Sequence, residues 1–106
     1  MQQYEIRSNA ESGYGRCDVM LISKQRANRG IVIEFKTNKG NETNLTHTAY
    51  NALKQIYKLD YITNLKKSGV DLENIYVYEF AFDGKNVEIL GGDYAEIDWD
   101  GILKEE

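Results

Sequence analysis

The sequence has no proline, one cysteine, one histidine and one tryptophan among 106 residues. Without proline, an internal repeat or a low-complexity stretch, no linker is visible and the chain reads as one continuous unit. Its length suits one small domain with one modest core and at most one site. Cys17 alone can form neither an internal disulfide nor a zinc site, which agrees with a reducing compartment. No apolar run approaches the ~20 residues that span a bilayer. Met1 to Glu5 lacks the basic and apolar segments of a secretory signal. The expectation is a cytoplasmic protein with no membrane association.

An excess of positive charge is also missing. The net charge is −4, which argues at first against nucleic acid, because backbone binding depends on lysine and arginine neutralising phosphates. The distribution alters this. Residues 1–40 carry seven basic and four acidic side chains, or +3, and residues 41–106 carry six and thirteen, or −7. The last fourteen residues supply −5 of that deficit. An acidic end therefore masks a basic front half, although an unevenly charged solvated surface would look the same.

Tyr4 to Ser8 alternates as a short strand, and 9-NAESGYG-15 suits a turn or a ragged extension with two glycines. Arg16 to Ser23 and Ile31 to Lys36 are apolar and partly β-branched, joined by the polar 24-KQRANRG-30, which suggests an antiparallel hairpin. A helix then starts near Thr43 or Asn44, either of which can cap free N–H groups. Leu45, Ala49, Ala52, Ile56, Leu59, Ile62 and Leu65 step by three and four, so a single long amphipathic helix is expected. Gly69 follows Lys66 and Lys67 as its stop. Ile75 to Phe82 and Asn86 to Leu90 form strands around the Asp83-Gly84 turn. The division expected is a domain over residues 1–92 and an acidic tail over 93–106, where Trp99 could anchor the tail to the body.

The strand 31-IVIEFK-36 poses the chemical question. Side chains alternate across a strand, so Glu34 and Lys36 share one face while Ile31, Ile33 and Phe35 line the other, expected to be the core face. If the hairpin centres near Arg26, Asp18 lies opposite Glu34, with Cβ atoms roughly 5 Å apart. Two carboxylates that close repel unless a cation intervenes, and magnesium takes hard oxygen ligands of this kind. Asp18 and Glu34 would hold the metal, the Phe35 carbonyl offers a further oxygen, and Lys36 could orient or deprotonate a water. The competing reading is an ordinary cross-strand ion pair. His47 lies early on the helix and suits a solvent-facing or capping role, and Tyr76, Tyr78 and Phe80 suit core packing or its rim.

The segments 8-SNAESGYGRCDVMLIS-23, 31-IVIEFK-36, 52-ALKQIYKLDY-61 and 78-YEFAFDGKNVEI-89 resemble, in order and spacing, the PD-(D/E)XK nuclease superfamily. More narrowly they are similar to the branch found at the C-terminus of AAA-ATPase-like proteins. The resemblance implies an α/β, restriction-endonuclease-like mixed sheet with a long helix, the N-terminal core helix being absent here. It implies a magnesium- or manganese-dependent endonuclease or exonuclease acting on nucleic acid, with DNA the expected substrate, Asp18 and Glu34 as metal ligands and Lys36 as the catalytic lysine. Glu11 matches an acidic position near the metal, and Gln55 and Tyr61 match the glutamine and tyrosine of the following helix. Arg16 suits a phosphate contact, with Tyr61 and Lys39 on the nucleic-acid side. The chain departs from the branch at Ala10, where arginine is usual, and at Cys17. The alternatives are an inactive module for nucleic-acid binding or dimerisation, or a fragment of a larger ATPase-linked protein. In either case a second copy or a partner could supply the missing helix.

Overall fold

The computed structural model describes residues 4–12, 15–23, 29–38 and 44–104, with side chains for all of these except residues 8–12, 15–17 and 64. The β-branched and aromatic runs become five strands: β1 (Tyr4–Ser12), β2 (Gly15–Ser23), β3 (Gly30–Thr37), β4 (Ile75–Asp83) and β5 (Asn86–Asp93). They form one sheet in chain order. Neighbours pair antiparallel except β3 and β4, which are parallel. Parallel neighbours need a crossover, and it is supplied by α1 (Leu45–Lys58) and α2 (Thr63–Lys67). The result is the mixed sheet with helices expected from the sequence. No helix among the described residues is long and apolar enough to cross a membrane.

Three points decide or overturn expectations. After Ser8 the chain extends the strand, the backbone of β1 pairing on from Ser8↔Val19 through Ala10↔Cys17 and Glu11↔Arg16 to Ser12↔Gly15. Ladder hydrogen bonds do not depend on an apolar side-chain pattern, so a polar strand end is invisible to alternation. The single long helix divides after Lys58, where Asp60 takes φ +53 and the side-chain oxygen of Asp60 accepts from the Thr63 hydroxyl at the start of α2. Ile56, Tyr61, Ile62 and Leu65 stay buried across the break, so the apolar period gives no sign of it. Asn44 caps α1, its side chain accepting from the His47 N–H at 2.8 Å, and Gly69 at φ +91 ends α2 as expected.

The third difference concerns which sheet face is covered. Along β3 and β4 the side chains of Val32, Glu34, Ile75, Val77, Glu79 and Ala81 are buried. Ile31, Ile33, Tyr76, Tyr78, Phe80 and Phe82 are half-buried, and Phe35 is 44% exposed. The core therefore lies on the Glu34 side of the sheet, not on the Ile31, Ile33 and Phe35 side. Ala49 and Ala52 give α1 a thin edge that packs with Leu53 and Ile56 over that side, and Met20, Ile22, Val32 and Val77 complete the cluster. Gly30 admits the helices closely, since a Cβ there would meet the Leu65 side chain at 2.8 Å.

The segment after β5 is more ordered than its composition suggests. Trp99, at the head of a short helix α3 (Trp99–Lys104), is buried in the core cluster, with Ile97 and Ile102 packed beside it. Its indole N–H donates to the Tyr94 carbonyl at 3.0 Å. The rings of Tyr57 and Tyr94 lie 5.0 and 5.1 Å from it. Trp99 thus anchors this segment to α1.

Candidate active site

The hairpin register that brings the acidic residues together is the one expected. Val19↔Ile33, Met20↔Val32, Leu21↔Ile31 and Ile22↔Gly30 are paired, and one further step sets Asp18 beside Glu34. At that step the Asp18 side chain takes over, its Oδ2 accepting from the Phe35 N–H at 2.7 Å. The Asp18 carboxylate is thereby held on the β3 backbone between Glu34 and Lys36. A hydrogen bond to an ionised acceptor is among the stronger ones available.

Glu34 is 5% exposed. Lys36, two residues along the same face, places Nζ 3.3 Å from Glu34 Oε1, and its side chain remains 41% exposed. Glu34 Oε2 is buried and has no hydrogen-bond partner. Burial raises the Glu34 pKa above its usual value. The Lys36 charge opposes that rise, the Asp18 charge adds to it, and a hydrogen bond from Tyr61 works against it. The ion pair is thus real but incomplete: Oε1 meets an ammonium, and Oε2 has no hydrogen-bond partner.

A third carboxyl stands next to these. Glu79 on β4 is level with Glu34 on β3, since Glu34↔Glu79 is a register pair of the parallel ladder. It is fully buried, and neither Oε1 nor Oε2 has a hydrogen-bond partner. Burial first, then the Glu34 charge, pushes its pKa up to about 9, against a smaller lowering by Lys36 and a small rise from Asp18. Sequence reading missed this residue because the aromatics of β4 suggested Tyr76, Tyr78 and Phe80 as the core parity. The signal was present: Ile75, Val77 and Ala81 share the parity of Glu79, and a glutamate between aliphatics on one strand face is an anomaly.

The remaining candidates are placed as follows. Tyr61 is 3% exposed, and its hydroxyl donates toward Glu34, so it supports the carboxylate from within. Gln55 is on α1 and exposed, one residue before the buried Ile56. The backbones of Glu11 and Arg16 oppose each other at the far end of the β1–β2 ladder, and their side chains lie outside those described. Lys39 lies outside the described residues. Among the described residues, no three or more His, Cys, Asp or Glu side chains are grouped closely enough to hold a metal ion. The donors nevertheless suit a hard divalent cation: Asp18 and Glu34 offer carboxylate oxygens, one buried oxygen is unsatisfied, and magnesium commonly takes one or two carboxylates and fills its shell with water.

This combination, an aspartate pinned to a strand that carries Glu34-Phe35-Lys36, is matched by a family model. The model describes the PD-(D/E)XK nuclease superfamily and spans residues 1–91. The chain belongs to this superfamily. No curated protein and no solved structure matches the chain. Members of the superfamily usually use divalent metal ions. In this PD-(D/E)XK domain the match runs through β1 to β4 and most of β5, and the Trp99 segment falls beyond it.

Proposed function

We propose that the chain hydrolyses phosphodiester bonds of nucleic acid, DNA in the first instance, as a magnesium- or manganese-dependent nuclease. The observation that carries this reading is the Asp18 carboxylate held on the Phe35 N–H at 2.7 Å, beside a buried Glu34 with one unsatisfied oxygen. Asp18 and Glu34 would hold the cation, with the Phe35 carbonyl and Glu11 as further oxygen donors. When bound, such an ion polarises a phosphoryl oxygen and lowers the pKa of a coordinated water. Lys36 keeps Nζ partly in solvent while paired with Glu34, a position from which it can orient the attacking water or meet charge building on the phosphate. Tyr61 steadies Glu34 by its hydroxyl. Gln55, exposed on α1, and Arg16 and Lys39 in the basic front half, are the groups we assign to substrate contact.

Purified chain should cleave DNA in millimolar magnesium, and Asp18→Ala and Lys36→Ala should not. Equal cleavage by all three would remove the assignment. One observation favours a second reading, a nuclease-fold module that binds nucleic acid or dimerises without turnover: no three-residue metal group is assembled among the described residues. Such a module would retain DNA binding or self-association in Glu34→Ala and show no magnesium dependence. The resemblance to the branch found at the C-terminus of AAA-ATPase-like proteins supports, under either reading, a link to an ATPase. Endonuclease and exonuclease activity are separated by offering circular and linear DNA.

A further inference from the structure

Glu79 has no role in the site described above, yet it is its least comfortable residue. Its side chain is fully buried, both carboxyl oxygens lack a hydrogen-bond partner, and Glu34 Oε2, level with it on the next strand, lacks one as well. Side chains paired across neighbouring strands have Cβ atoms ~5 Å apart on the same face. Three buried carboxyl oxygens on one covered face, Glu34 Oε2 and both of Glu79, therefore lack a hydrogen-bond partner, while Lys36 and Tyr61 serve Glu34 alone. An unpaired buried carboxylate costs several kcal/mol, and a second beside it raises that cost. Lys36 does not resolve this, since its ammonium sits on Glu34 Oε1 and reaches toward solvent.

We infer that Glu79 is a further ligand of the divalent cation held by Glu34, reaching it from the β4 side. The inference rests on the metal-dependent reading above. A cation on the Glu34–Glu79 side meets all three unsatisfied oxygens at once, which a single ammonium cannot do. Glu34 becomes the shared member of two pairs, one with Asp18 across the antiparallel ladder and one with Glu79 across the parallel ladder. The charges of Glu34, Lys36 and Asp18 all act on Glu79, so its carboxyl lies within their electrostatic reach. Two carboxylates and water satisfy a magnesium shell, so the pair suffices without a third acidic neighbour in contact.

The test is manganese binding without substrate, followed by the electron paramagnetic resonance signal of free Mn2+, on the full chain and four variants. Removing a ligand of this kind weakens metal affinity by about tenfold or more, and that is the expected loss in Glu79→Gln and in Glu34→Gln. Val77→Ala, on the same strand and face, should keep the wild-type affinity and controls for loosened packing. If Glu79→Gln fails to give a folded circular-dichroism spectrum, Glu79→Asp replaces it; the carboxylate drawn back by one methylene should bind manganese measurably more weakly. Wild-type affinity in Glu79→Gln or Glu79→Asp, with binding lost in Glu34→Gln, overturns the inference and leaves the metal-dependent reading standing. A wild-type chain that binds no manganese at millimolar concentration overturns both.

Discussion

The two faces of the sheet carry the wrong residues for their surroundings. The face covered by α1 holds Met20, Val32 and Val77 with no exposure, but also Glu34 and Glu79. The open face holds Ile31, Ile33, Phe35, Tyr76, Tyr78, Phe80 and Phe82, with Ile89 at 51% exposure and Ile6 at 67%. Hydrophobicity alone would put the aromatic side inward. The crossover decides instead: parallel β3 and β4 must be bridged by the helices, whose apolar stripe and alanines lie against one face only. Charge buried where apolar residues would be more stable, on the face that carries Asp18, Glu34 and Lys36, is what a site looks like when function is placed above stability.

The strongest way to break the comparison is to remove the group that links the covered face to solvent. Lys36→Ala should lower magnesium-stimulated DNA cleavage by about a hundredfold or more, as expected for loss of a positioned acid, base or charge-stabilising group. Its stability should fall as well, because the buried Glu34 carboxyl loses the ammonium at Oε1, so cleavage is compared on protein shown to be folded. Cleavage within a few-fold of wild type, measured on folded protein, would leave Glu34 and Lys36 as an ordinary ion pair. The inertness of the ion pair and its chemical use are thus separated by one substitution.

Packing gives the next contrast. Ile75→Ala, at 0% exposure on the covered face, should cost about 2–5 kcal/mol in urea unfolding, the range for emptying a core isoleucine. Ile89→Ala, 51% exposed on the open face, should cost about 0.5 kcal/mol or less. Similar losses at the two positions would show that something packs on the open face in solution.

Much of this was legible in the sequence, and the failures have physical causes. The β2–β3 register followed from a hairpin centred near Arg26, so the Asp18, Glu34 and Lys36 neighbourhood was recoverable from arithmetic on residue numbers. The split between Lys58 and Thr63 was not, because the turn at Asp60 keeps Tyr61, Ile62 and Leu65 on the buried side. Alternation shows that Glu34 and Phe35 oppose each other but not which of the two a helix will cover. That choice sits in the crossover, and with it went the parity of β4 and the recognition of Glu79. Trp99 reads as an anchor from the sequence, while its partners, Tyr94 five residues before it and the distant Tyr57, appear only in the fold.

The Glu79 carboxyl makes the same contrast pH-dependent. In the folded state its pKa stands at about 9 against an ordinary 4.5, through burial first and then Glu34. A raised folded pKa means that the folded chain holds a proton the unfolded chain releases. Stability is therefore greatest below pH 4.5 for this group and falls as pH rises toward 9, by at most about 1.4 kcal/mol per unit. Denaturant midpoints of metal-free protein at pH 6 and pH 8 should differ in that direction, and Glu79→Gln should flatten the slope. An unchanged slope would mean that the buried carboxyl is solvated or paired in solution.

The smallest effect belongs to the edge that the last segment closes. Tyr94 has its pKa raised to about 12, mainly by burial and further by Tyr57 and Asp60. Its ring lies 6.3 Å from that of Tyr57 and 5.1 Å from that of Trp99. Tyr94→Phe keeps the ring and removes only the hydroxyl, so stability at neutral pH should move by about 0.5 kcal/mol or less. The difference should emerge in alkali, because the unfolded phenol ionises near its ordinary 10 while the folded one holds its proton to about 12. Across that interval the wild type loses stability as pH rises and the variant lacks this contribution, so its unfolding midpoint should lie at higher pH. A tyrosinate absorbance titration checks the premise directly: the absorbance change near pH 12 should be smaller by one phenol in Tyr94→Phe than in the wild type. Should it be undiminished, the Trp99 segment would not shield Tyr94 in solution. The covered face would then end at α1, with no closure beyond the part of the chain that matches the nuclease superfamily.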